Sequence, residues 1–168
     1  MPTRAARRPI DVQVFQPFRA AVKAPWLRRV AAEALAVGDP EGTGGVSIAV
    51  ADDETLHSLN ARFRGFDEVT DVLSFETGVR GSAANVFPDP DGTARIGEVV
   101  LSYPLAVRQA HEHNVSTEEE VALLVVHGVL HLLGHDHEQP HDEARMRQLE
   151  QHALARLFTT PAKSGARR

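Results

Sequence analysis

The sequence predicts a single α+β domain, in which a small mixed β-sheet of about four strands packs against a buried central helix. The length of 168 residues and the hydrophobic fraction of 42% fit one globular domain. Strand-like segments alternate with helical ones up to about residue 102, and only helical patterns follow. The predicted order is therefore strand, helix, strand, helix, strand, strand and then helices.

Two strand–helix pairs are predicted in the first part of the chain. Apolar residues alternate with polar ones at residues 10–14 and again at 46–50, as in half-buried strands. Between them, Pro25 is favoured at the first position of a helix, and Gly38 is suited to end it. A short second helix is predicted after residues 52–53, because either aspartate can cap its first turn.

Two more strands and a set of helices complete the prediction. Residues 72–75 and 96–101 are predicted as strands, and residues 78–94, rich in glycine and proline, as a long loop. Residues 121–133 are apolar nearly all round, which is typical of a buried central helix. A last helix follows, with Asp142 as its predicted cap.

The composition excludes several kinds of site. The chain has no cysteine, so any metal must be held by histidine and carboxylates, and disulfides and cysteine nucleophiles are excluded. No apolar run approaches the roughly 20 residues that a membrane-spanning helix needs, and no apolar core of a signal peptide follows the basic start. We therefore expect a cytoplasmic protein.

Charge is distributed unevenly along the chain. Its 18 basic and 23 acidic residues give a net charge of −5. Residues 1–8 and 160–168 are basic and contain no acidic residue, so we expect two flexible tails around a single domain at residues 9–159. The domain itself is acidic, so any nucleic-acid contact must come from a local basic patch or from the tails.

Five of the nine histidines fall between residues 127 and 141. His127 and His131 are four residues apart on the predicted central helix, so both imidazoles leave one face and can share an ion. Gly134 supplies a turn with positive φ that lets the chain fold back, and His137 can then close a three-nitrogen site. Three histidines leave a fourth position for water, which is typical of catalytic zinc. The central helix is thus predicted to carry a three-His site for one Zn²⁺ ion.

The alternative is that these histidines are hydrogen-bonded core or a solvated face, because a lone H-x-x-x-H pair arises by chance. Two histidines on an apolar, buried helix need polar partners, however. The helix-ending glycine and the third histidine make a metal site the favoured interpretation. The remaining nearby histidines are expected at the surface: His111, His113, His135 and His141.

The ligand spacing matches the metzincin protease frame H-E-x-x-H-x-x-G-x-x-H. Gly128 stands where that frame has its general-base glutamate, so peptide hydrolysis would lose its usual base. A metzincin-like zinc hydrolase or peptidase is therefore retained only as an alternative. Asp136, beside His137, is a candidate either for orienting a ligand imidazole or for the missing base.

Arg64 is the second candidate site residue. It is followed by a glycine, a polar turn and a strand, and a guanidinium is suited to phosphate oxygens. From the residues alone, a surface ion pair with Asp67 or Glu68 is the favoured interpretation.

Together, these two segments resemble the YbeY family. The family motif H-G-x-L-H-L-x-G-x-D-H is matched at every fixed position by residues 127–137, and L-N-x-x-F/Y-R-G-x-D-x-x-T-D-V-L-S-F is matched by residues 59–75. The resemblance extends over about residues 46–157. Two departures are Glu76, where the family often has proline, and Glu98, where it usually has aspartate.

The family comprises bacterial rRNA maturation factors, regarded as metal-dependent, single-strand-specific endoribonucleases. The resemblance implies a zinc-dependent enzyme of 16S rRNA 3′ end maturation and ribosome quality control, with single-stranded RNA and the ribosomal subunit or its proteins as partners, and without membrane or DNA. It implies His127, His131 and His137 as zinc ligands in the catalytic site, and Arg64 as the basic catalytic residue. A non-catalytic, zinc-binding ribosome-assembly factor is a further alternative.

Overall fold

Four strands form one mixed sheet in the computed structural model, which describes residues 8–76, 95–135 and 138–158. The strands are β1 (Ile10–Val14), β2 (Gly45–Ala51), β3 (Val72–Glu76) and β4 (Arg95–Ser102). Their order is β1-β2-β4-β3, with β1, β2 and β4 parallel and β3 antiparallel to β4. The predicted α+β class and the small mixed sheet are confirmed. The loop predicted over residues 78–94 lies outside the described residues.

Within these described ranges, five helices pack around the sheet. They are α1 (Ala24–Gly38), α2 (Asp53–Arg64), α3 (Tyr103–His113), α4 (Thr117–Leu132) and α5 (Pro140–Leu157), and a 3₁₀ turn lies at Gln16–Phe18. None of the helices in the described ranges is long and apolar enough to cross a membrane.

The helix starts follow from local capping. Asp52 rather than its neighbour caps α2, where its carboxylate accepts the N–H of Thr55 at 2.9 Å. Hydrogen bonds from the side chain and from the N–H of Thr55 lower the pKa of Asp52. The predicted cap at Asp142 is wrong. Gln139, three residues earlier, is the N-cap, and α5 begins at Pro140 because proline at the first helical position lacks only an N–H that has no partner there anyway.

Helix α4 is the buried central helix that the sequence predicts. It packs against β3 and β4 on one face of the sheet, with α1, α3 and α5 around it. Its buried apolar side chains are Val121, Ala122, Leu124, Val125, Val126, Val129, Leu130 and Leu132. The opposite face of the sheet is covered by α2, whose Leu56 packs in a smaller cluster with Leu73 and Val100. The fold therefore has three layers, with α4 in the larger core.

Arg8 is held against the end of α1 and the loop that follows it. The guanidinium of Arg8 donates to the carbonyl oxygens of Gly42, at 2.8 Å, and Leu35, at 3.3 Å. Arg8, the last residue of the predicted N-terminal tail, is thus tied to the domain. Residues 1–7 and 160–168 lie outside the described residues, so the domain bounds of 9–159 stay a prediction.

Candidate functional site

A cleft of about 330 Å³ opens between the end of α2, strand β3 and the second half of α4. Its polar lining is supplied by Arg64, Asp71, Ser74, Glu76, His127 and His131. The two segments that the sequence singled out, some sixty residues apart, therefore meet in one cleft.

Two histidine nitrogens converge in this cleft. The Nε2 atoms of His127 and His131 lie 3.0 Å apart, and the rings are nearly perpendicular at 78°. Two nitrogens bound tetrahedrally to zinc at about 2.0–2.1 Å would lie roughly 3.3 Å apart. The i, i+4 geometry that the sequence predicts is therefore present, with a spacing close to that of two ligands of one ion.

Glu150 is a site residue that the sequence analysis missed. Its Oε1 atom lies 2.7 Å from Nδ1 of His127, and its side chain is only 17% exposed. A metal-binding histidine commonly donates its second ring N–H to such a carboxylate, which sets the tautomer and the ring orientation. The only sequence signal is that Glu150 follows the buried Leu149 of α5. Asp136, the residue that the sequence suggests for orienting a ligand imidazole, lies outside the described residues.

The third predicted ligand, His137, also lies outside the described residues. Within residues 8–76, 95–135 and 138–158, no group of three or more histidine or acidic side chains is placed to hold a metal. The three-His site therefore stays a prediction.

The turn after α4 has the form that the sequence predicts. Gly134 has a φ of 91°, a left-handed conformation that favours glycine, and its N–H donates to the carbonyl of His131 at 3.0 Å. The turn carries His135 over the end of α1, where its Nε2 atom lies 3.0 Å from the carbonyl oxygen of Gly38. The expectation that His135 is exposed is wrong, because it is partly buried in this contact. His111, His113 and His141 are exposed, as expected.

Gly128 lies where α4 touches the sheet. A Cβ atom there would be 2.6 Å from Cγ1 of Val99, closer than real Cβ atoms approach. The Ser74 hydroxyl donates to the Gly128 carbonyl at 3.0 Å, which ties α4 to β3. A glutamate at this position would collide with β4, so the general base of the metzincin frame has no room here.

Arg64, the last residue of α2, is exposed and lines the cleft. Its guanidinium makes no hydrogen bond or ion pair with another described side chain. The ion pair favoured from the residues alone is wrong, because Asp67 instead contacts His57, at 2.5 Å, and the backbone of Glu68 is held by Asn60.

Other polar groups of the cleft are used by the fold. The Asp71 carboxylate accepts the N–H of Val72 at 2.8 Å and the amide of Gln109 at 3.2 Å. The Ser74 hydroxyl is bonded to the Gly128 carbonyl of α4. Glu76, exposed at the end of β3, has no side-chain partner in the part of the chain that the structure describes. The groups facing solvent in the cleft are therefore a guanidinium, a carboxylate and the two histidines.

Comparisons with known proteins give one family. The family model described as Endoribonuclease YbeY matches residues 17–158. A protein of that name from Roseiflexus castenholzii is 43% identical over 149 residues, covering 88% of this chain and 92% of that protein. One from Chloroflexus aurantiacus is 44% identical over 133 residues, covering 78% of this chain and 84% of that protein. The solution structure of TM1509 from Thermotoga maritima is 25% identical, with a TM-score of 0.57 over 90% of both chains.

Proposed function

Since the chain belongs to the endoribonuclease YbeY family, we propose that it is a zinc-dependent endoribonuclease that cleaves single-stranded RNA. We further propose that it acts in 16S rRNA 3′ end maturation and ribosome quality control. One observation carries the proposal: Arg64 and the paired Nε2 atoms of His127 and His131 line the same cleft.

The spacing of the His127 and His131 Nε2 atoms supports a zinc site, because it is close to that of two ligands of one ion. His127 and His131 would hold it through their Nε2 atoms, and His137 is the proposed third ligand. When bound, Zn²⁺ supplies Lewis acidity at the phosphoryl group and activates water at neutral pH.

Glu150 and His127 act together in this proposal. A neutral imidazole has one N–H, and the carboxylate 2.7 Å from Nδ1 keeps the proton on that atom. The lone pair of Nε2 is then directed into the cleft and is available to a metal.

Arg64 is the proposed phosphate-binding residue. Its planar guanidinium can donate two parallel N–H bonds to the non-bridging oxygens of one phosphate. Because charge develops on these oxygens during cleavage, the same donors stabilise the transition state more than the ground state. The exposed position of Arg64 at the cleft leaves the guanidinium accessible to a phosphate.

The recessed position of the histidines supports a preference for single strands. A nucleotide of a single strand can bend into the cleft, whereas the backbone of a duplex is held away from it. The acidic domain supplies little general attraction to RNA, so we propose that a ribosomal subunit or its proteins bring the enzyme to its substrate in the cytoplasm.

The experiment compares wild type with His131→Ala in zinc content and in cleavage of single-stranded and duplex RNA. His141→Ala is the matched control, because that histidine is 82% exposed and outside the cleft. We expect near-stoichiometric zinc and single-strand cleavage in wild type and control, and loss of both in His131→Ala. Full zinc content in that variant would refute the ligand assignment. Equal cleavage by wild type and His131→Ala would indicate a contaminating nuclease and favour the assembly-factor alternative.

A further inference from the structure

An exposed aromatic ring lies two residues beyond Arg64 and has no role in the core. Among the described residues, Phe66 is the most exposed large apolar side chain, at 58%, and Val69, in the same loop, is 41% exposed. Both belong to the α2–β3 loop, which we define as residues 65–71. Burial of a phenylalanine side chain stabilises a fold, and Phe66 lacks most of this stabilisation because more than half of its surface is exposed. The position of the ring therefore does not follow from folding alone.

The backbone that carries this ring is held in place. The side chain of Asn60, which is 4% exposed, donates to the carbonyl of Glu68 at 3.0 Å, and the N–H of Phe66 donates to the carbonyl of Asn60 at 3.3 Å. At the far end of the loop, the N–H of Ser102 donates to the carbonyl of Asp71 at 2.9 Å. A ligand of the ring would thus meet a surface that is ordered in advance, which lowers the entropy cost of binding.

The loop begins and ends at the cleft. Arg64, immediately before it, and Asp71, at its end, both line the cleft. Phe66 is two residues beyond Arg64, so their Cα atoms are at most about 7 Å apart. A single nucleotide can therefore have its phosphate at Arg64 and its base near Phe66.

Two guanidinium groups precede the loop and can each bind a phosphate. Arg62 and Arg64 occupy the last turn of α2, and the Arg62 guanidinium lies 5.1 Å from the centre of the Phe63 ring. The loop also carries carboxylates, of which Asp67 contacts His57 and Asp71 accepts hydrogen bonds from its neighbours. A phosphate would therefore be held by direct bonds to a guanidinium rather than by the net charge of the loop. Guanidinium groups next to an exposed ring are the combination with which proteins bind single-stranded nucleic acid.

We propose that Phe66 forms a nucleobase subsite, on which one base of a single-stranded RNA stacks while the adjoining phosphate binds Arg64. The motif shared with the family leaves position 66 open, so the subsite is a property of this chain rather than of the motif. The inference rests on the proposed function, because it takes RNA as the ligand. Stacking of one base on one ring corresponds to about a 5- to 100-fold change in affinity.

The test uses short single-stranded RNAs that carry one 2-aminopurine, a fluorescent base that stacking quenches, at successive positions. Zinc-loaded wild type is compared with Phe66→Ala, Phe66→Trp and the control Val115→Ala. Val115 is 39% exposed and lies two residues before the start of α4, which is itself roughly 15 Å along the helix from His127. We expect quenching at one position with wild type, Phe66→Trp and the control, and its loss in Phe66→Ala with at least 5-fold weaker binding.

A second measurement replaces the base at the quenched position by an abasic residue. The difference in affinity between wild type and Phe66→Ala should then disappear. Equal quenching by wild type and Phe66→Ala, or an affinity difference that survives on every abasic RNA, would overturn the subsite. So would unchanged RNA binding by Phe66→Ala together with lost binding to ribosomal subunits, because the loop would then be a protein-docking surface. Binding is measured separately from cleavage, so RNA that stacks on Phe66 without being cut would refute the proposed activity and leave the subsite standing.

Discussion

Nδ1 of His127 and Oε1 of Glu150 lie 2.7 Å apart, which joins the central helix α4 to the last helix α5 at the cleft. We expect Glu150→Ala to weaken zinc binding by about 10- to 100-fold, because the imidazole loses the group that orients it. Glu150→Gln should restore part of the affinity, since its amide oxygen still accepts the Nδ1–H bond. The measurement is competition for zinc with a chelator, with circular dichroism to verify the fold.

The control for this pair is Glu143→Ala, on the same helix, whose carboxylate pairs with the exposed Arg147. It should bind zinc as tightly as wild type. If Glu150→Ala did so too, the carboxylate would have no part in holding the site.

Arg64→Ala should reduce the cleavage rate of single-stranded RNA by about 100- to 1,000-fold, because donors to the developing charge are lost. Zinc content and the free energy of unfolding should stay unchanged, since the side chain is exposed and makes no bond to another described side chain. Arg64→Lys should recover little, because an ammonium cannot donate two parallel bonds to one phosphate. Initial rates at saturating RNA measure the loss of cleavage. Elemental analysis and urea denaturation measure the zinc content and the free energy of unfolding. Cleavage by Arg64→Ala at the wild-type rate would remove the residue from the mechanism.

Gly128→Ala should lower the free energy of unfolding by about 1–3 kcal/mol, because the added Cβ atom would lie 2.6 Å from Cγ1 of Val99. Urea denaturation gives this value. The double variant with Val99→Ala should lose less than the sum of the two single changes, since the smaller residue makes room for the methyl group. Additive losses would mean that α4 does not rest on β4 at this point.

Glu98, opposite Phe75 in the β3–β4 pairing, has its pKa raised from 4.5 to about 7 by burial. The folded state therefore disfavours the charged form, so the contribution of Glu98 to stability is highest below pH 4.5 and falls as the pH rises through about 7. Glu98→Gln should remove this loss and raise the free energy of unfolding at pH 8 by about 1–2 kcal/mol, after allowance for partial exposure. At pH 4.5 the gain should be small. Urea denaturation of both proteins at the two pH values measures it, and an equal gain at both would contradict the assignment to this carboxyl group.

The periodicity of apolar residues was sufficient to predict the fold class, but not the order of the strands in the sheet. The alternation at residues 10–14 and 46–50 and the apolar run at 121–133 correspond to β1, β2 and α4. The start of α5 was predicted wrongly because two local signals competed, and the proline at 140 defines the first turn rather than Asp142.

The site was predictable only where its residues are near in sequence. His127 and His131 are one turn apart on α4, so helix geometry alone brings them together. Glu150 is 23 residues from His127 and meets it only because α5 packs against α4, a tertiary contact without a local signal. Arg64 likewise does not pair with Asp67, because Asp67 contacts His57, which lies on an earlier turn of α2.

The close contact between Gly128 and Val99 also bears on how the site moves. His127 and His131 are carried by the helix around which the larger core is built, so their backbone amides should exchange with solvent only through global unfolding. The nitrogen pair is then a rigid part of the scaffold, already spaced before metal or RNA arrives. Adaptation to different RNA strands must therefore come from the side chains at the rim, and the histidines contribute none of it.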